Sequence, residues 1–236
     1  IDNGMGNKQD AKFFSYYYLH GNDTLEGSLN KYGFTSSDIT DMVLTHLHFD
    51  HCGGSINYNG DRTRLEPAFK NAKYYCNEKH WNWAVHPNVR EKASFLKENI
   101  LPIQESGQLK FIDLKQEVAG NSRLTCHESH IIGNLSLYTV SGHTDAMMLP
   151  RIQYKGKTIV YMADLLPSVA HIPLPYVMGY DMFPLTTLNE KQAFLTEALE
   201  NDYILFFEHD PKNECCNLQM TEKGIRQKDV FRLAEI

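Results

Sequence analysis

Thr45-His46-Leu47-His48-Phe49-Asp50-His51-Cys52-Gly53-Gly54 directly follows the apolar run Met42-Val43-Leu44. The segment His46 to His51 packs three imidazoles and a carboxylate into six residues. Imidazole nitrogen and carboxylate oxygen are the usual protein ligands of zinc and similar divalent ions. In an extended segment His46 and His48 project to the same side, because side chains alternate. Asp50 and His51 fall where Gly53 and Gly54 allow a change of direction. Four ligands leaving a strand end in two directions imply two adjacent metals. A polar surface loop is the bland alternative, but so many ligand-type residues rarely crowd together without use.

Outward from this stretch, local signals place the flanking elements. Asp23 or Thr24 caps a short helix carrying Leu25 and Leu29, which Gly33 ends. The aromatic run within residues 12–20 (Phe13, Phe14, Tyr16, Tyr17, Tyr18) is expected in a core or a pocket wall. Ile39 to Thr45 leads into the strand that ends at His46. Residues 57–61 read as a loop, and Asn71 to Cys76 as a strand. Asn77 caps a helix with Trp81 and Ala84 that breaks near His86-Pro87. Val89, Ala93, Leu96 and Ile100 suggest another helix over residues 88–99. Short strands follow at Leu109 to Leu114, Leu124 to His127 and Leu135 to Val140, then Ser141-Gly142-His143-Thr144. Met147 to Gln153 and Thr158 to Met162 flank a hairpin signal at Tyr154-Lys155-Gly156-Lys157, and Ala163-Asp164 closes the second strand. Four prolines make Leu166 to Pro184 a long irregular loop, of the kind that often carries function. Asn189 to Asn201 is an amphipathic helix. Tyr203 to Phe207 is a buried strand leading to Glu208-His209-Asp210, and two modest strands follow.

The chain has 236 residues, 23 basic and 29 acidic, for a net charge of −6. That balance argues against a nucleic-acid partner, which usually needs a basic face. No apolar run reaches membrane-spanning length. The five cysteines (Cys52, Cys76, Cys126, Cys215, Cys216) are odd in number and show no C-x-x-C spacing, so a disulfide framework is not expected. The expected location is cytoplasmic, although an exported form with a removed signal fits the same residues. Ile1-Asp2-Asn3-Gly4 reads as a strand end entering a turn, with an N-terminal portion expected outside this sequence.

His143, Asp164 and His209 share one property with the opening motif: each stands at the end of an apolar strand. There a sheet holds a ligand rigidly while leaving it accessible. With His46-Leu47-His48-Phe49-Asp50-His51 these residues resemble the metallo-β-lactamase superfamily of metal-dependent hydrolases and its H-x-H-x-D-H motif. Asp2-Asn3-Gly4 is similar to that family's D-T-G turn, with Asn3 in place of threonine. The resemblance implies one domain over residues 1–236, an αβ/βα four-layer sandwich of two mixed β-sheets with outer helices, lacking its N-terminal strands. It assigns one metal to His46, His48 and His143 and a second to Asp50, His51 and His209, with Asp164 bridging. Two divalent ions, zinc first with iron, manganese or cobalt as alternatives, would share a hydroxide that attacks an acyl or phosphoryl centre. Asp50 and Asp164 are then the expected catalytic carboxylates, with Asp50 steering the nucleophile's proton.

Ala163-Asp164-Leu165-Leu166-Pro167, Tyr180-Asp181-Met182-Phe183-Pro184 and the segment 77–99 resemble the branch of acyl-homoserine lactonases and methyl parathion hydrolase. Pro167 departs from the tyrosine that lactonases often carry there. The implied reaction is hydrolysis of a lactone or carboxylic ester, with phosphotriesters or β-lactams as alternative substrates. A non-catalytic metal-binding protein is the alternative of another class. The expected partner is a small-molecule substrate, with no nucleic acid and no membrane, and a homodimer is left open. His171, Tyr176 and Tyr180 read equally as substrate contacts or loop packing. Phe49 reads as pocket wall or core. Cys52 stays outside the metal set, and His127 and His130 read as surface residues.

Overall fold

Sheet pairing explains why Met42-Val43-Leu44 is extended. In the computed structural model, which describes residues 1–112, 124–128, 131 and 133–236, the chain divides into two compact units, Ile1–Phe111 and Ile112–Ile236.

The first unit opens with α1 (Ala11–Ser15), whose Phe13 amide donates to the Asp10 carboxylate at 2.7 Å. Thr24 caps α2 (Leu25–Lys31), accepting from the Gly27 amide at 3.0 Å, and Gly33 follows the helix at φ +80°. Then come β1 (Asp41–Val43), α3 (Phe49–Cys52), the hairpin β2 (Ile56–Tyr58) and β3 (Leu65–Pro67), and β4 (Lys73–Cys76). The unit ends with α4 (Glu78–Val85), α5 (Lys97–Glu105) and β5 (Leu109–Phe111). Strands β1, β4 and β5 pair in that order, all parallel, with Met42 opposite Tyr74 and Tyr74 opposite Leu109. Leu44, Leu47, Ile56, Tyr74, Ile100 and Ile103 are fully enclosed in its core. Each such side chain contributes about 1.5–3 kcal/mol of burial.

Three expectations for this unit fail, the first being the loop over residues 57–61, whose first two residues belong to β2. Residues 89–94 form turns, and the helix is α5, which begins at Lys97 and carries Pro102 inside it. Val89, read as part of an apolar stripe, is 99% exposed. Burial of Asn99, Ile100 and Ile103 holds α5 together despite the proline, whose missing amide normally penalises a helix interior. The aromatic run is not core either: α1 buries no residue, and Tyr16 and Tyr18 are exposed. Only part of it matches a packing role. Phe13 and Tyr17 lie 5.3 Å and 5.1 Å from the ring of half-buried Phe49.

In the second unit the strands are β6 (Cys126–Glu128), β7 (Leu135–Val140), β8 (Met147–Tyr154), β9 (Lys157–Tyr161), β10 (Ile204–Phe206), β11 (Cys215–Thr221) and β12 (Gly224–Phe231). They form one mixed sheet in the order β12-β11-β10-β9-β8-β7-β6, antiparallel except for β9 with β10. The parallel pair needs a crossover, which α6 (Pro184–Glu200) supplies. Pro184 starts that helix five residues before the expected Asn189, because proline suits the first helical position. Lys155 at φ +49° and Gly156 at φ +74° make the two-residue β8–β9 turn, the left-handed geometry such hairpins favour. Tyr138, Leu149, Val160, Phe194 and Leu205 anchor the core. The expected strand Leu109 to Leu114 is seen as β5, with its last two residues outside the described ones. Among the described residues no helix is long and apolar enough to cross a membrane.

Candidate metal centre

Each unit gathers its own share of the candidate ligands. In the first, the N-terminal turn is the organiser. Asp2, at φ +45°, is fixed by its amide donating to the Val43 carbonyl at 2.9 Å, and Asn3 likewise donates to the His51 carbonyl at 2.9 Å. The buried Asp2 carboxylate accepts from the Thr45 amide at 2.8 Å and from the Thr45 hydroxyl at 2.7 Å, and faces His51 Nδ1 at 3.0 Å. The glycines after the motif make room for this turn. A Cβ on Gly53 would lie 2.1 Å from the Met5 carbonyl oxygen, and one on Gly54 2.2 Å from that of Asn3. Close approach, not a change of direction, is what these two positions demand. Lys8 reinforces the contact, its ammonium donating to the Gly53 carbonyl.

These partners fix the ring tautomers. The Thr45 hydroxyl gives its proton to Asp2, so at 3.0 Å it accepts from His46 Nδ1–H, which leaves His46 Nε2 with a lone pair. His48 Nε2 faces the Glu91 carboxylate at 3.2 Å, which leaves the lone pair on Nδ1. His46 Nε2 and His48 Nδ1 are 3.1 Å apart. Two nitrogens bound tetrahedrally to one zinc lie about 3.3 Å apart, from Zn–N bonds of about 2.0–2.1 Å. The donor pair therefore fits a metal. His51 offers Nε2, and the partly exposed Asp50 carboxylate lies 3.9 Å from it.

In the second unit three strand ends converge. After β7, the Glu190 carboxylate of α6 accepts from the Ser141 amide at 2.7 Å and the Gly142 amide at 2.9 Å. Gly142 presses on α6 so closely that a Cβ there would be 2.3 Å from the Thr187 amide nitrogen. His143 is thereby held with Nδ1 3.0 Å from Asp181 and Nε2 3.0 Å from Asp164 Oδ2. Asp164, just beyond β9, follows Ala163 at φ +40°, a strained conformation for a residue with a side chain. Its other oxygen, Oδ1, faces Nε2 of His209, after β10, at 3.1 Å. Asp164 and His143 are buried and His209 is exposed. Burial opposes a charge on His143, yet Asp164 and Asp181 outweigh it and raise the metal-free imidazole to about 9.

The motif residues His46, His48, Asp50 and His51 thus meet within the first unit, and His143, Asp164 and His209 within the second. Glu91, Asp181 and Glu190 escaped the sequence reading. Asp181 lies within Tyr180-Asp181-Met182-Phe183-Pro184, whereas Glu91 and Glu190 carry no motif. The Cys52 thiol is enclosed, pushed up to about 12 by burial, and directed at the Leu47 carbonyl, which agrees with leaving it out of the ligand set. His127 is buried, correcting its surface reading; His130 lies outside the described residues. Tyr176 and Tyr180 are exposed on the proline-rich loop. That loop is pinned from beneath by Lys191 of α6, a fully enclosed lysine whose ammonium donates to the carbonyls of Pro173 and Leu174, each at 3.2 Å, and of Tyr176.

Residues 1–58 match the family model described as the metallo-β-lactamase superfamily. An N-acyl homoserine lactonase of Bacillus thuringiensis is 27% identical over 127 residues, covering 54% of this chain and 43% of that protein. The chain thus spans less than half the length of the curated relatives it matches. A probable metal-dependent hydrolase from Staphylococcus aureus superimposes with a TM-score of 0.81 at 22% identity, over 98% of this chain and 76% of that one. A dizinc quorum-quenching lactonase, solved in complex with a product, gives 0.72 at 21% identity over 98% and 75%. The fold common to these structures is the metallo-β-lactamase fold.

Proposed function

We propose that this chain, built on the metallo-β-lactamase fold, is a dinuclear metal-dependent hydrolase that cleaves a lactone or a carboxylic ester. One observation carries the reading. The two oxygens of Asp164 face two different imidazoles, 3.0 Å from His143 Nε2 and 3.1 Å from His209 Nε2, a placement that suits a carboxylate shared by two ions. In the proposed centre His46, His48 and His143 hold one ion, Asp50, His51 and His209 hold the other, and Asp164 bridges, the units acting as one domain. All seven are nitrogen or oxygen donors, a set that suits zinc and also admits iron, manganese or cobalt. When bound, such ions lower the pKa of water toward neutrality and polarise a substrate carbonyl.

The chain's own residues supply the rest. Thr45, Asp2 and Asp181 fix which nitrogen His46, His51 and His143 present, and Asp50, more exposed than Asp164, is placed to take or return a proton. Support for the lactone class comes from the curated relatives, which are named N-acyl homoserine lactonases. The test joins metal analysis to a panel of lactones, aryl esters, phosphotriesters and β-lactams. About two metals per chain and fastest turnover of lactones or esters are expected. Less than one metal per chain with no turnover would sink the hydrolase, and preference for phosphotriesters would replace the substrate class. Asp164→Ala should abolish turnover and lower metal content; retained activity would remove the bridging role.

A further inference from the structure

We propose that Glu91 is a positioning residue for metal uptake, holding His48 in the tautomer that turns Nδ1 toward His46 Nε2; the inference rests on the metal centre proposed above. Glu91 sits in the turns between α4 and α5, where an acidic residue ordinarily faces water, yet it is only 4% exposed. Enclosing a carboxylate costs several kcal/mol unless its oxygens are paired. Oε1 lies 3.2 Å from His48 Nε2, while Oε2 accepts from the Trp83 indole at 2.7 Å and the Asn88 side-chain amide at 2.9 Å. The Glu91 amide in turn donates to Asn88 Oδ1 at 3.1 Å, so backbone and side chain are both fixed.

The imidazole is held from other sides as well. The Phe49 amide, next along the chain from His48, donates to the Ser94 carbonyl at 2.9 Å, and the Phe95 ring packs 4.8 Å from the His48 ring. The turns at 89–94 therefore lock the second histidine of the motif in place. The carboxylate does more than fill space. By accepting Nε2–H it leaves the lone pair on Nδ1 and raises the basicity of that nitrogen, as acidic partners of metal-bound histidines generally do.

The experiment uses the full chain as wild type, Glu91→Leu and Glu91→Gln. Long-range proton–nitrogen spectra of histidine-labelled, metal-free protein read the His48 tautomer, and competition against a chromogenic chelator reads zinc affinity. Wild type should show the Nε2–H form. Glu91→Leu should mix the two tautomers and weaken zinc binding about 10- to 100-fold. Glu91→Gln, which keeps an acceptor, should restore the Nε2–H form and much of the affinity; a residue that merely braces the turn would leave the tautomer unmoved. An Nδ1–H form in the wild type overturns the proposal. So does zinc affinity in Glu91→Leu within about threefold of wild type. Should the leucine variant not fold, Glu91→Gln decides, and affinity equal to wild type refutes the role of the charge. A wild type that takes up no zinc would remove the metal centre instead, and the metal-free tautomer would still report on Glu91.

Discussion

Adding one methyl group at Gly142 should damage both stability and the candidate centre. The new Cβ would lie 2.3 Å from the Thr187 amide nitrogen, 2.3 Å from its hydroxyl and 2.5 Å from its Cα. Ordinary contacts begin near 3.4 Å, so the 141–143 segment and the first turns of α6 must part by about 1 Å. Four hydrogen bonds join that segment to α6 and the residues entering it: the Ser141 and Gly142 amides to Glu190, the Phe183 amide to the Gly142 carbonyl at 2.8 Å, and the Met182 amide to the His143 carbonyl at 3.1 Å. Overpacking alone costs about 1–3 kcal/mol, and stretching bonds to the half-buried Glu190 carboxylate adds about 1–2 kcal/mol. A total near 3 kcal/mol follows, which lowers a urea midpoint by about 1–2 M at ordinary slopes. Urea unfolding followed by circular dichroism measures the shift, and amide exchange at Thr187 reports where the strain sits. A midpoint within about 0.3 M of wild type, with Thr187 protection unchanged, would show that the close approach does not exist.

Lys191→Met should loosen the proline-rich loop. It removes three charge-assisted bonds to loop carbonyls, partly offset by relief from enclosing an ammonium, for a net cost of about 2 kcal/mol and faster proteolysis between residues 172 and 180; an unchanged cleavage rate would refute the clamp. Burial lowers the Lys191 ammonium from 10.5 to about 8. Between those values the unfolded chain holds a proton that the folded chain has released, so wild-type stability relative to Lys191→Met should rise with pH across that window. A fall there would reverse the assignment. Val89→Glu should change stability by less than about 0.5 kcal/mol, since Val89 is almost wholly exposed; a loss above 1 kcal/mol would restore the helical stripe first read from its spacing.

Local signals in the chain were faithful where a few neighbouring residues settle the conformation. Thr24 and Asn77 cap their helices, and Lys155-Gly156 turns its hairpin as the residue types require. The spacing of Val89, Ala93, Leu96 and Ile100 misled because a helical period does not say which turn of chain is buried. Packing around Ile100 and Ile103 placed the helix further on, across Pro102. The aromatic run 13–18 misled for a related reason: composition tells what a side chain prefers, not whether a partner surface reaches it.

By itself the sequence supplied the residues of the proposed donor set. His46, His48, Asp50, His51, His143, Asp164 and His209 carry nitrogen and oxygen atoms of the kind that divalent ions take, and apolar runs precede them. Tertiary structure alone decided how those rings are aimed. His48 meets Glu91, His143 meets Asp181 and His51 meets Asp2 across 43, 38 and 49 positions of chain. A ring nitrogen's proton is set by whatever acceptor folding brings to it, and no local pattern encodes a partner that distant.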